Sequence, residues 1–206
     1  MIEIYRHELK YVCTDMQSNI IRNRLECMVK PDANAGADGS YMIKSIYFDD
    51  FARRCYYENE NGVDPRYKYR IRIYNNSRKR ISLERKTKKN GMTGKESCAI
   101  SEDLFHLMIS DNDCIDFIGK NSLLDEWIIE KNERQLKPTV IVEYKRIPLI
   151  YNLGNVRITF DSQIKGSGRI DSFFDDESYG ILVMPAGYQV MEVKYDDYMP
   201  DILFSL

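Results

Sequence analysis

Charged side chains recur at every second residue in five separate segments of the sequence. Because alternate residues of a β-strand point to opposite faces, each segment predicts a strand with one charged and one apolar face. The charged faces contain mainly arginine and lysine with single carboxylates between them: Arg6, Glu8 and Lys10; Lys68, Arg70 and Arg72; Arg80, Glu84 and Lys86; Arg157 and Asp161; Glu192 and Lys194. Such cations suit a phosphate-rich anion, and the carboxylates suit a divalent metal bound to the same anion.

Two structures would satisfy this alternation. In the simpler one, a half-exposed antiparallel sheet buries its apolar face and leaves its charges in solvent. In the other, the sheet curls into a barrel, turns its charged face inward and is covered outside by helices. Arg70 and Arg72 favour the barrel, because guanidinium groups at neighbouring positions on one face repel each other unless an anion lies between them. Such a lumen would bind a triphosphate or a polyphosphate.

The composition limits the other functions that the chain can have. Lysine and arginine number 30 against 32 acidic residues, a net charge of -2, which argues against nucleic-acid binding through overall basicity. The two histidines lie near no cysteine pair, and the five dispersed cysteines are typical of reduced thiols, so a zinc site is not expected. The sequence contains no apolar run of membrane-spanning length and no secretion signal, which predicts a cytoplasmic location.

The charged segments belong to a longer series of predicted strands and helices. Strands are predicted at residues 2–11, 41–48, 67–74, 80–86, 94–100, 139–146, 155–161 and 188–195, with a short one at 181–184, and helices at 15–28, 101–109 and 122–135. Residues 53–58 are interpreted as a short strand or part of a turn, and most tyrosines are assigned to outward strand faces. Residues 1–206 are expected to form a single α+β domain of mainly antiparallel strands, whose apolar tail begins a final helix without completing it.

Seven short motifs occur in order along nearly the whole chain: RHELKY, SIYFDD, YKYRIRIY, LERKTKKNGMTGKES, VEYKR, VRITFD and MEVKY. Together they resemble the VTC (vacuolar transporter chaperone) domain, which belongs to the triphosphate tunnel metalloenzymes and is related to the CYTH phosphohydrolases. The resemblance implies a closed antiparallel β-barrel, the triphosphate tunnel, with helices packed on the outside. It also implies an enzyme that makes polyphosphate from ATP with Mn²⁺ or Mg²⁺, and a membrane partner protein that receives the product.

The resemblance further implies roles for particular residues. Lys10, Arg72 and Lys86 would be catalytic, and Glu192 with Glu8 would bind the metal. The substrate-binding residues would be Arg6, Arg70, Lys95, Arg146, Arg157 and Lys194, of which Arg6 and Lys194 are included for their positions on charged strand faces.

Two departures from the family pattern bear on the alternatives to a polymerase. The family has a further lysine in its C-terminal helix, and the sequence reaches Leu206 without it, which makes a non-catalytic polyphosphate-binding module a second interpretation. The first strand has one glutamate two residues before its lysine, instead of the paired ExExK of the hydrolases. This pattern favours the VTC branch over a triphosphate hydrolase, which is the third interpretation. The sequence predicts no particular oligomeric state.

Overall fold

Ten β-strands and five α-helices form the part of the chain that the computed structural model describes, residues 4–177 and 179–204. The strands are β1 (His7–Thr14), β2 (Lys30–Pro31), β3 (Tyr41–Asp49), β4 (Arg66–Tyr74), β5 (Ile81–Lys89), β6 (Met92–Ile100), β7 (Lys137–Tyr151), β8 (Val156–Ser167), β9 (Ile181–Leu182) and β10 (Tyr188–Tyr195). The helices are α1 (Asp15–Leu25), α2 (Arg54–Glu60), α3 (Glu102–Ile109), α4 (Ser122–Arg134) and α5 (Asp201–Phe204).

The strands form one antiparallel sheet that curls until its two edge strands touch. The strand order is β1-β10-β8-β7-β3-β4-β5-β6, with β2 added to β7 and β9 added to β8. The edge strands β1 and β6 meet at a single bridge, where the backbones of Arg6 and Thr93 exchange hydrogen bonds of 2.9 and 2.8 Å. The α+β class and the antiparallel sheet are confirmed. The predicted fully closed barrel is not, because no continuous ladder joins β1 to β6 in the described residues.

Helices cover the outer, apolar face of the sheet in two places, and each forms a separate hydrophobic core with the strands beneath it. Ile46, Ile71 and Leu83 project from β3, β4 and β5 into a core that α3 and α4 complete with Phe105 and Trp127. A second core joins β8 and β10 to α1 and α5; its buried members are Leu25, Val29, Val156, Ile158, Phe160, Val193 and Leu203. Each fully buried large apolar side chain contributes about 1.5–3 kcal/mol. The two larger cores therefore lie on the outer face of the sheet, and the charged faces are turned inward beside a smaller cluster of Tyr41, Ile43 and Tyr144.

Segment 53–58 was predicted as a short strand or a turn, and this prediction is wrong, because the structure places α2 at Arg54–Glu60. The helix begins after SIYFDD, where the Asp49 carboxylate accepts hydrogen bonds from the backbone N–H groups of Cys55 (2.9 Å) and Tyr56 (3.1 Å). An aspartate that satisfies free N–H groups of the first turn stabilises a helix start. The cap comes from outside the segment itself, which explains why the local pattern did not predict the helix.

The other predicted elements are confirmed with shifted bounds. Strands β7 and β8 are each longer than predicted, and the predicted strand residues 2–3 lie outside the described part of the chain. Helix α1 begins with a capping box, in which Thr14 and Gln17 bond each other's backbone N–H groups. The tail begins the helix α5, and residues 205–206 lie outside the described part. No helix in the described residues has the length and apolarity needed to cross a membrane.

Candidate functional site

A cavity of about 240 Å³ lies inside the curled sheet and is lined by side chains from seven strands. We call it the central cavity, and its cationic lining residues are Lys10, Lys68, Arg70, Arg72, Lys86, Arg146 and Lys194. Its acidic lining residues are Asp161 and Glu192, and two further carboxylates, Glu8 and Glu84, form ion pairs with the same cations. Seven cations thus meet four carboxylates, which leaves a surplus of positive charge at the centre.

Two further cavities adjoin the central one. The lysine-rich cavity, of about 360 Å³, includes Glu8, Lys10, Lys68, Lys86 and Lys88. The Arg157 cavity, of about 280 Å³, includes Arg80, Glu84, Lys95 and Arg157. The first shares three lysines with the central cavity, and the second is connected to it through the ion pair of Glu84 with Arg70. The central cavity is therefore linked to both of the others.

Glu84, in β5, holds three of these cations in place. Its Oε2 accepts a 2.7 Å hydrogen bond from Arg70 Nε and lies 3.8 Å from Arg72 Nη1, while its Oε1 lies 3.1 Å from Lys95 Nζ. Burial would raise the pKa of Glu84, but Arg70, Arg72 and Lys95 lower it to about 2. Glu84 is therefore a permanent carboxylate that keeps two buried guanidinium groups on the same side of the cavity.

Lys86, in β5, is paired with one carboxylate but lies close to two other lysines. Its Nζ donates a 2.6 Å hydrogen bond to Glu8 Oε1, across the point where β1 and the β5–β6 hairpin approach each other. Burial lowers the pKa of Lys86 to about 8, because repulsion from Lys10 and Lys194 works against the attraction of Glu8. A phosphate group beside Lys86 would supply the negative charge that its surroundings lack.

Arg146, in β7, has a fixed orientation at the opposite wall of the cavity. Its Nε and Nη2 donate two 2.7 Å hydrogen bonds to the two carboxylate oxygens of Asp161, the bidentate geometry that arginine favours. Its Nη2 also lies 3.8 Å from Glu192 Oε1, and its Cζ lies 5.2 Å from the ring centroid of Tyr144. The guanidinium plane is thereby held against the cavity wall.

The structure brings most of the predicted site residues together, and places three of them elsewhere. Lys95 and Arg157 lie in the Arg157 cavity, where Arg157 Nη2 donates hydrogen bonds to Asp32 (2.6 Å) and to the Tyr41 hydroxyl (2.9 Å). Arg6 lines none of the three cavities. It donates a 2.7 Å hydrogen bond to Asp196 and another to the backbone carbonyl of Asn155.

Five residues of the site were not assigned to it from the sequence: Tyr47, Lys68, Glu84, Tyr144 and Asp161. The sequence does indicate the three charged residues, because each lies on the same strand face as a residue that was assigned to the site. For the two tyrosines the assignment to outward faces is wrong, since both line the central cavity. A tyrosine combines an apolar ring with a polar tip, so alternation alone does not place it.

Glu8 and Glu192 can bind a divalent metal only if water or a bound phosphate supplies the remaining oxygen ligands. Lys194 Nζ lies 3.6 Å from Glu8 Oε2 and 2.8 Å from Glu192 Oε1, and these two buried oxygens have no other hydrogen-bond donor in the described residues. No group of three acidic, histidine or cysteine side chains suited to a metal occurs in that part of the chain. One or two carboxylates completed by water and phosphate oxygens are the usual protein ligands of Mg²⁺, so the residues fit such an ion.

The fold, an antiparallel sheet curled around a cation-lined cavity, is similar to that of solved structures. Two solved structures illustrate this similarity. The first is a proposed adenylate cyclase from Bacillus halodurans, with a TM-score of 0.54 and 12% identity. The match covers 100% of this chain and 87% of the cyclase chain. A proposed adenylyl cyclase from Hippeastrum, described as having a dominant triphosphatase activity, has a TM-score of 0.51 and 10% identity and covers 99% of this chain and 83% of its own. No curated protein matches the sequence. The VTC domain matches residues 5–206, and the chain belongs to this family.

Proposed function

We propose that the protein binds ATP and polyphosphate in its three cavities and transfers the terminal phosphoryl group of ATP to the polyphosphate chain. The observation that carries the proposal is the convergence of seven cations on a central cavity with four carboxylates. Arg70 and Arg72, which are 8% and 6% exposed, are too well buried for solvent to compensate their charges fully. A bound polyanion would do so, and membership of the VTC family supports this choice of ligand.

Phosphoryl transfer requires little covalent chemistry from the protein and depends on positioning and on positive charge around the transferred group. Arg70, Arg72 and Arg146 are held in place by neighbouring side chains, and the guanidinium N–H groups that these contacts leave free would donate hydrogen bonds to phosphate oxygens. Lys10 and Lys86 approach from the lysine-rich side and would act as point charges on the transferred and leaving groups. A low-dielectric lumen makes each of these interactions stronger than it would be in water.

Mn²⁺ or Mg²⁺ held by Glu192 and Glu8 would neutralise part of the phosphate charge and orient the chain. We expect Glu192→Gln to weaken the binding of Mn²⁺ in the presence of tripolyphosphate, while tripolyphosphate alone still binds. Calorimetry of the metal into the preformed complex measures this directly. Unchanged Mn²⁺ affinity would remove Glu192 from the metal site.

A hydrolase that uses the same cavities is the second candidate, because the Hippeastrum structure of the same fold is described as a triphosphatase. Incubation with ATP and Mn²⁺ separates the candidates by product: long-chain polyphosphate for the polymerase and orthophosphate alone for the hydrolase. Tight binding of unchanged ATP would indicate a polyanion-binding module.

Variants test whether the central cavity is the site of any of these activities. We expect Arg70→Ala and Lys86→Ala each to weaken tripolyphosphate binding by at least about tenfold, the loss of roughly one charge-assisted hydrogen bond. Lys79→Ala, which removes a cation from the exposed turn before β5, is the matched control. Equal affinities for all three variants and the unaltered protein would refute the site.

A further inference from the structure

Tyr47, in β3, lies among the cations of the central cavity. Arg70 Nη1 donates a 3.1 Å hydrogen bond to its hydroxyl oxygen, and Lys68 Nζ lies 5.1 Å from its ring centroid. The other charged or titratable groups that face it are Arg72 from β4, Tyr144 from β7 and Lys10 from β1. Arg70 therefore contacts the hydroxyl of Tyr47 directly, and three further cations and one phenol act on it electrostatically.

We propose that Tyr47 is an internal competitor of phosphate: as a phenolate it pairs with Arg70 and Lys68, and a triphosphate or polyphosphate binds only when Tyr47 is protonated. The proposal rests on the proposed phosphate-binding function and adds a regulation to it. Arg70 Nη1 is the donor over which the two anions compete, because the Nε and Nη2 of the same guanidinium already contact Glu84. A phosphate in the cavity would also repel a phenolate directly.

The electrostatics of the cavity place this competition near neutral pH. Burial would raise the pKa of Tyr47, but Arg70, Lys68 and Arg72 lower it to about 7. Tyr144, by contrast, has a raised pKa because burial outweighs the effect of Arg72 and Arg146. If only the protonated form binds phosphate, the apparent Kd rises about tenfold between about pH 6 and about pH 8, in inverse proportion to the protonated fraction of Tyr47. Phosphate binding would in turn be accompanied by uptake of a proton.

Ultraviolet absorbance of the phenolate tests the titration without any ligand. We expect the full chain to form one tyrosinate near pH 7, and Tyr47→Phe to lack this step. Tyr11→Phe, which removes a half-exposed hydroxyl from the outer face of β1, is the control and should retain it. Tripolyphosphate should move the step to higher pH. The proposal is overturned if no phenolate forms below about pH 9, the range of an ordinary tyrosine, or if Tyr47→Phe retains the step.

Binding of tripolyphosphate without metal, measured by calorimetry at about pH 6 and about pH 8, tests the competition itself. The affinity of the unaltered protein should fall by up to about ten times more than that of Tyr47→Phe. The titrations of Lys86 and of the ligand affect both proteins equally and cancel in this ratio. Equal pH dependence would overturn the role of Tyr47 and leave the proposed function standing. No binding at either pH would overturn the proposed function, and this proposal with it, even if Tyr47 titrates.

Discussion

Replacing Glu84 with glutamine removes the negative charge that holds Arg70, Arg72 and Lys95 together, without changing the shape of the side chain. The ion pairs lower the pKa of Glu84 from 4.5 to about 2, despite burial. This difference corresponds to about 3 kcal/mol of stability at pH 7. Because the pKa is depressed on folding, the stabilisation is complete above pH 4.5 and is lost as the pH falls through about 2. For a chain of this size, 3 kcal/mol lowers the Tm by about 6–12 °C.

Thermal unfolding of Glu84→Gln at pH 7 is the assay, with Glu96→Gln as the matched control. Glu96 lies on the same hairpin and pairs with Arg85, but its side chain is 27% exposed, so its loss should cost less than about 1 kcal/mol. Tripolyphosphate should stabilise Glu84→Gln more than the unaltered protein, since the anion would replace the missing charge. A Tm for Glu84→Gln equal to that of the control would refute the assignment of Glu84 as the organiser of these cations.

Further variants separate stability from binding. Lys86→Met removes the 2.6 Å hydrogen-bond donor of the buried Glu8 carboxylate, so it should lower both the Tm at pH 7 and the tripolyphosphate affinity, whereas replacing both partners in Glu8→Gln/Lys86→Met should recover the Tm but not the affinity; a double variant no more stable than Lys86→Met would contradict this. Because the pKa of Lys86 is lowered to about 8, affinity for tripolyphosphate should decrease further as the pH rises through about 8, and Lys86→Met should show only the part of the decrease that arises from Tyr47. Asp49→Ala removes the carboxylate that accepts hydrogen bonds from two backbone N–H groups at the start of α2, and it should cost about 1–2 kcal/mol in urea unfolding; an unchanged unfolding midpoint would show that the helix does not depend on this cap.

Alternation predicted that the charged residues share one face of each strand, whereas the repulsion between Arg70 and Arg72 and the resemblance to the VTC domain favoured an inward direction for that face. Arg70 and Arg72 flank Ile71, and only one of the two faces could be buried under helices. The apolar residue took the helix-covered side, so the arginines had to face the opposite side of the sheet. The same reasoning applies to the cations of β4, β5 and β10 that line the central cavity, because each side chain of a strand points to one of only two faces.

Alternation within a strand could not predict which side chains meet when strands far apart in the sheet order come together. The contact of Lys86 with Glu8 joins β5 to β1, which lie near opposite ends of the strand order, and it depends on the curvature of the whole sheet. The displacement of Arg6 towards Asp196 has the same origin. Arg6 occupies the single bridge between the edge strands, where its side chain meets the residues that follow β10 instead of the cavity.

The apolar face of each strand contributes mainly to the free energy of folding, and the charged face contributes to ligand binding. This difference predicts how substitutions on each face will behave. Ile71 is fully buried beneath helices α3 and α4, so its loss leaves a cavity in the core and should cost several kcal/mol. Arg70, one residue away, contacts Glu84 and does not belong to the apolar core. Loss of Arg70 should therefore reduce phosphate affinity, and it should reduce stability through the lost ion pair with Glu84 instead of through a cavity in the core. Because the surplus charge of the central cavity opposes folding until an anion is bound, the ligand is expected to stabilise the protein by RT ln(1 + [L]/Kd), or about 2.7 kcal/mol at a hundredfold excess over Kd.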